Sequence, residues 1–263
     1  MILRIKNAIK KLFNKIARKL PKTIIKFYKI SSSRVKLYKT PIGDYYLPTD
    51  VEKDIIVNSM KLGKVFEEEI VILTQRYIKK DSTVLDVGSN LGQMTIFFSS
   101  FVGENGKVYS FEADDFIFGL LEKNIKINRC ENVLAINKAV YDTCGNKMFY
   151  PVQDFKRFDA YGSYGLSPNA KEGREVETIT IDSLNITTPI SFMKVDVQGS
   201  DLFTLRGAVE TIKRFRMPII FEYEEQFQDE FNTSWQDYVD FIKSIDYKID
   251  KVVNEINYLI VPN

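Results

Sequence analysis

The chain has 263 residues, 44% of them hydrophobic and 27% charged, which suffices for one α/β domain with appended pieces and leaves little room for a second catalytic domain. It contains no histidine, so the usual zinc ligand, the commonest general base and the Ser-His and Cys-His nucleophile pairs are all excluded, and proton chemistry falls to carboxylates, lysine or tyrosine. The net charge of +2 hides an asymmetry: thirteen basic residues precede the first acid, Asp44, and the rest of the chain is net acidic.

Residues 1–20 place Ile2, Ile5, Ile9, Leu12, Phe13, Ile16 and Leu20 at three- and four-residue steps among lysines and arginines, the pattern of a basic amphipathic helix that Pro21 ends. A charge recurs every few residues, so the stretch lacks the unbroken apolar core of a signal peptide and is expected to stay in the mature protein. It suits an anionic membrane surface; docking on its own domain or on a second subunit, or contact with nucleic acid, are the other readings. No apolar run reaches the eighteen residues of a membrane span. The two thiols, Cys130 and Cys144, have no metal spacing and point to a reducing compartment. The expected setting is the cytoplasm, with the arm able to rest on the inner face of the membrane.

From Ile24 to Leu47 short aromatic runs flank Pro41-Ile42-Gly43-Asp44, predicting a hairpin that turns near Gly43. This divides the chain into an arm and small cap over 1–50 and a catalytic domain over 51–263. Residues 51–61 and 65–79 read as helices, with Glu67 to Glu69 in the first turn of the second.

Residues 83–112 are the centre of the pattern. A β-rich run ends in Asp86 and Gly88, the turn Ser89-Asn90-Leu91-Gly92 feeds a helix, and a second strand over 107–111 finishes on Glu112. An acid there, twenty residues past Gly92, can hold the two hydroxyls of a ribose. The dinucleotide fingerprint needs a third glycine where Gln93 stands, and the carboxylate of Asp86 opposes phosphate but favours a ligand carrying an ammonium and a sulfonium. The pattern therefore favours S-adenosylmethionine over a dinucleotide.

A helix is expected from Asp114 and Asp115 through Asn128, then a third strand over 132–140, whose end brings Asn137 and Ala139 beside an adenine. Residues 141–174 are irregular and aromatic, including Phe155, Lys156, Arg157, Phe158, Tyr161 and Tyr164, as in an insertion that shapes an acceptor pocket. Strands follow over 175–181 and 190–195, the latter carrying Asp196 at its C-terminal end, then a helix over 202–214. A fifth strand over 217–222 is tipped by Glu222. A helix over 234–244 and strands near 247–252 and 256–261 complete an α/β, doubly wound, Rossmann-like fold with a mostly parallel seven-stranded sheet and a C-terminal antiparallel hairpin.

The blocks VLDVGSNLGQMTIFFSS, VYSFEAD, FMKVDVQGSDLFTLRGA and IIFEYE, in that order between Val84 and Glu224, resemble the FkbM family of S-adenosylmethionine-dependent class I methyltransferases. The resemblance implies O-methylation of hydroxyls on sugars and related natural products, with a sugar, glycan or glycolipid as acceptor. The family usually has Glu where this chain has Gln198, which leaves a third reading, a cofactor-binding protein impaired in catalysis. The expected cofactor contacts are Asp86, Gly88, Asn90, Gly92, Glu112, Ala113, Asn137, Ala139 and Asp196. Asp196 is expected to act as base or acceptor-orienting group, with Glu222 second. The two could instead hold a divalent cation, but two carboxylates without a third ligand do not favour a metal. An RNA methyltransferase is the rival reading, encouraged by the basic arm and opposed by the absence of an Asn/Asp-Pro-Pro-aromatic turn or a Pro-Cys pair.

Overall fold

The computed structural model describes residues 34–153 and 160–263. The basic helix expected over 1–20 and the loop positions Phe155, Lys156, Arg157 and Phe158 lie outside them. No described helix is long and apolar enough to cross a membrane.

Strands β1 (Val35–Thr40) and β2 (Gly43–Pro48) pair antiparallel around Pro41-Ile42, where Thr40 Oγ1 donates to Gly43 O at 2.7 Å. Helix α1 (Ile55–Lys61) starts where the Asp54 carboxylate accepts from Val57 N at 2.9 Å. Helix α2 (Glu68–Thr74) follows. Both are shorter than the periodicity predicts. Asp54 delays the first, and beyond Thr74 the amides of Arg76 and Tyr77 reach back only three residues, tightening the chain out of the α-helix. Glu67 is not in the first turn of α2 but precedes it, in left-handed backbone at φ 52° and ψ 52°.

The alternation of β3 (Thr83–Val87), α3 (Gln93–Val102), β4 (Lys107–Phe111), α4 (Asp115–Ile127) and β5 (Val133–Ile136) builds one half of the main sheet. The short strands β6 (Ala139–Val140), β7 (Lys147–Tyr150) and β8 (Arg174–Ile179) form a separate three-stranded sheet. The other half of the main sheet comes from β9 (Ile190–Val195), β10 (Ile219–Glu222), β11 (Tyr247–Val252) and β12 (Asn257–Pro262), linked by α5 (Asp201–Arg206), α6 (Val209–Phe215), α7 (Glu225–Phe231) and α8 (Trp235–Ser244). The order is β11-β12-β10-β9-β3-β4-β5, parallel except that β12 runs against both of its neighbours. This is the doubly wound α/β architecture expected from the sequence, with its mostly parallel seven-stranded sheet and C-terminal antiparallel hairpin.

Two expected elements divide. The third strand breaks after Ile136, and Ala139–Val140 leave the main sheet to pair in parallel with Thr178 and Ile179. The helix expected over 202–214 breaks at Gly207, where an added Cβ would lie 2.0 Å from Tyr141 O, so this turn packs directly against the neighbouring backbone. Helices on both faces leave the central strands wholly buried: all six residues of β9 are buried, Lys194 among them. The strand order reverses between β3 and β9, and the carboxyl ends of these strands open a crevice.

Candidate functional site

The crevice begins with a contact only glycine permits. Gly88 has φ 81°, and a Cβ there would lie 1.8 Å from Asp196 O, so the turn after β3 lies directly against the end of β9. The amides of Gly88 and Ser89 donate to Phe111 O at 3.0 and 2.9 Å, tying the same turn to β4. Beside it, Glu112 is buried and takes a bond on each oxygen, from Asn90 N at 2.9 Å and from Asp114 N at 2.8 Å. Burial pushes its carboxyl up to about 7 against these amides. Asn90 Oδ1 is buried with no hydrogen-bond partner.

Of the expected residues, Gly88, Asn90, Glu112, Ala113, Ala139, Asp196 and Glu222 line one cavity. Asp86, Gly92 and Asn137 do not line it, and each acts behind it. Asp86 is fully buried under the turn, accepting from Thr95 Oγ1, and so does not present its charge to the open cleft as the pattern suggested. Strand alternation explains this: Asp86 lies in register with Lys194 on β9, within the sheet. Gly92, at φ 83°, admits Leu121 to 2.5 Å from where its Cβ would be, seating α4 on the turn. Asn137 Nδ2 donates to Glu112 O at 2.9 Å and to Ala113 O at 3.3 Å, fixing the backbone that carries the acid.

An acidic corner of the cavity sits at the tips of β9 and β10. Phe221 pairs with Val195, so Glu222 and Asp196 leave adjacent strands one residue later. Lys194 Nζ donates to Asp196 Oδ2 at 2.8 Å. Gln198 Nε2 reaches Asp196 Oδ1 at 3.0 Å and Glu222 Oε2 at 2.8 Å, bridging the two carboxylates. Burial alone would raise Asp196, but the Lys194 ammonium outweighs it and holds the carboxyl below its ordinary value. Glu222 is driven the other way, well above the usual carboxylate range, by burial and then by the charge of Asp196. Asp201, behind them, accepts from Glu222 N at 3.4 Å and is pushed up to about 7 by burial and Asp196. Two neighbouring acids are thus split, one held ionised and one holding its proton to higher pH.

The described part of the 141–174 segment forms the facing wall. Tyr150, Tyr161 and Tyr164 line the cavity, and Gly162 and Gly165 let this wall close on Asn90 and Gln198, where added Cβ atoms would meet Asn90 Nδ2 at 2.6 Å and Gln198 Cβ at 2.9 Å. Among the described residues, no group of three or more acids or cysteines is placed to hold a metal ion.

The model of the FkbM methyltransferase domain matches residues 86–249, from the buried acid of β3 through the first half of β11. The chain belongs to the FkbM methyltransferase family. It is an S-adenosylmethionine-dependent methyltransferase by family and fold. Among solved structures it is similar to an FkbM methyltransferase from Methylobacillus flagellatus, at 17% identity and TM-score 0.47, over 69% of this chain and 43% of that one. It is also similar to an rRNA methylase from Streptococcus thermophilus, at 12% and 0.42 over 73% and 91%, and to a SAM-dependent methyltransferase from Aquifex aeolicus, at 16% and 0.41 over 73% and 87%. Among curated proteins none matches significantly.

Sequence reasoning missed two residues of this methyltransferase's cleft. In the sequence Gln198 reads as a departure from the family pattern, not as a bridge between acids, and Glu67 reads as an ordinary helix start. A left-handed backbone is the shared signal, at φ 54° and 52°, and no periodicity reports it. Replacing Glu112 by Ala removes an acid that would accept from ribose hydroxyls. Affinity for S-adenosylhomocysteine should fall by about 2 kcal/mol, close to 30-fold, by calorimetry. Unchanged affinity would remove Glu112 from the cofactor site.

Proposed function

We propose that this FkbM-family enzyme transfers the methyl group of S-adenosylmethionine to a hydroxyl of a sugar or glycan. The observation that carries the reading is the Gln198 amide spanning Asp196 and Glu222 at the tips of adjacent strands, in the same cavity as Gly88 and Glu112. The cleft fits the cofactor: the glycine turn admits close approach, Glu112 offers a carboxylate to the ribose, and Asn90 Oδ1 is an orphaned acceptor that a bound donor group would satisfy. When bound, that cofactor supplies an electrophilic methyl group on a sulfonium.

A sugar hydroxyl is too weakly acidic to lose its proton unaided, so a positioned base is required. Asp196 has both oxygens engaged, by Lys194 and Gln198, and orients the acceptor as a fixed anion. Glu222 has one oxygen on Gln198, and its high proton affinity makes it the stronger base and the group that takes the hydroxyl proton. Tyr161 and Tyr164 line the same cavity and give the acceptor an aromatic wall.

Charge supports a neutral acceptor over RNA. Among the described residues, the basic ones lining the cavity and the compartment beside it are Lys138 and Lys194, and they pair with Glu177 and Asp196. Acids dominate the walls, and a phosphate chain would meet them at close quarters. Incubation with labelled S-adenosylmethionine and a panel of free sugars, glycans and RNAs tests the reading. Label is expected in a carbohydrate fraction, alkali-stable as an ether; incorporation into RNA alone would overturn it.

A further inference from the structure

Of the non-glycine residues in left-handed backbone, Glu67, Asn90 and Gln198 line the cleft. Asn90 belongs to the glycine turn and Gln198 bridges the two acids, but Glu67 has no part in the chemistry described so far. Strained backbone persists only where the surroundings hold it, and here they do. Phe66 N donates to Gln93 Oε1 at 2.8 Å and Gln93 Nε2 donates to Lys64 O at 3.0 Å, clamping the segment to the first turn of α3. From the other side Asn257 Nδ2, at the start of β12, donates to Glu67 Oε1 at 3.1 Å. Among the described residues no bond is recorded to the second oxygen.

Glu67 thereby faces two spaces at once. It lines the main cavity with Glu112, Asp196 and Glu222, and it lines a smaller compartment whose wall includes Gly88, Asn90, Lys194 and Asp196. A donor with its ribose on Glu112 and its methyl group near Glu222 has its amino-acid end still to place, and this compartment adjoins the glycine turn where that end emerges. We propose that Glu67 binds the ammonium of the methyl donor's amino-acid moiety, an assignment that rests on the cofactor placement argued above. Burial and the charge of Asp196 push the carboxyl up to about 7, so an ammonium beside it supplies the counter-charge that ionises it.

Calorimetry with two ligands tests the assignment. S-Adenosylhomocysteine carries the ammonium; 5′-methylthioadenosine keeps the adenosine and thioether but lacks the amino-acid moiety. In Glu67→Gln, affinity for the first should fall at least about 10-fold while affinity for the second stays within about twofold. Asn257→Ala, which frees the Glu67 side chain, should produce a smaller loss with the same selectivity, and it serves if Glu67→Gln does not fold. Unchanged affinity for S-adenosylhomocysteine, or an equal loss for both ligands, overturns the pairing, the latter because Glu67 would then only shape the cleft. If the wild-type protein binds neither ligand, the cofactor placement itself falls, and this inference with it.

Discussion

Glu222→Gln should lower methyl transfer by about 10²- to 10⁴-fold, the usual contribution of a general base, while binding of S-adenosylhomocysteine stays within about twofold. The substitution keeps the shape of the side chain and removes the carboxylate proposed to accept the proton. The wild-type rate should also depend on pH with a definite sign. On the proposed mechanism Glu222 acts as the ionised base, and its carboxyl is held well above the usual range, so kcat/KM should climb as pH rises through that raised value. Asp196, held low by Lys194, is already ionised there and contributes no such limb. In Glu222→Gln the ascending limb should vanish. A variant with wild-type rate and wild-type pH profile would exclude Glu222 as the base. Asp196→Asn makes a poorer test, because it strips the anion from Lys194, which is 3% exposed. Removing the anion hydrogen-bonded to that buried ammonium destabilises the fold, so lost turnover would be mixed with lost stability.

Gly88→Ala should damage fold and cofactor binding together. The new Cβ would stand 1.8 Å from Asp196 O and 2.7 Å from Asp196 C, and the backbone sits at φ 81°, which an alanine adopts at a cost of about 1–2 kcal/mol. Neither contact is with a flexible side chain, so the ends of β3 and β9 must move apart, adding an overpacking cost of about 1–3 kcal/mol. A loss of about 2–5 kcal/mol should lower Tm by at least about 4 °C in a chain of this size, with binding of S-adenosylhomocysteine abolished. Gly119→Ala is the control. It lies inside α4, nothing stands within 4 Å of its added Cβ, and alanine there should stabilise by about 1 kcal/mol. Equal behaviour of the two variants would show that Gly88 is not a packing requirement.

The course of the main sheet was legible because its inner strands are short apolar runs with a turn or a capping residue after them, as in Thr83–Val87 and Ile190–Val195. Glu112 was legible for the same reason, since its place at the end of β4 follows from counting past the glycine turn. What local pattern could not deliver is direction and distance. Asp86 reads as a ligand-facing acid in one dimension, yet the alternation of β3 turns it beneath the turn toward Thr95. Ala139 and Val140 continue an apolar run, and only pairing with Thr178 and Ile179, 39 residues away, takes them into another sheet. Gln198 becomes a bridge only once β10 brings Glu222 beside it, 24 positions later in the chain. Glu67 depends on Asn257, 190 positions away, and no window of sequence holds both.

The sheet also determines how the molecule meets its neighbours in solution. On one flank the outermost strand, Tyr247–Val252, is interrupted by an irregularity between Ile249 and Lys251 and exposes Lys248, Asp250 and Lys251. The opposite flank is only four residues long, Val133–Ile136. A foreign strand adding to the first would have to follow a kinked ladder and strip water from three charges, and on the second it would find few partners. A fold with so much apolar backbone inside is therefore guarded against edge-on polymerisation at both margins.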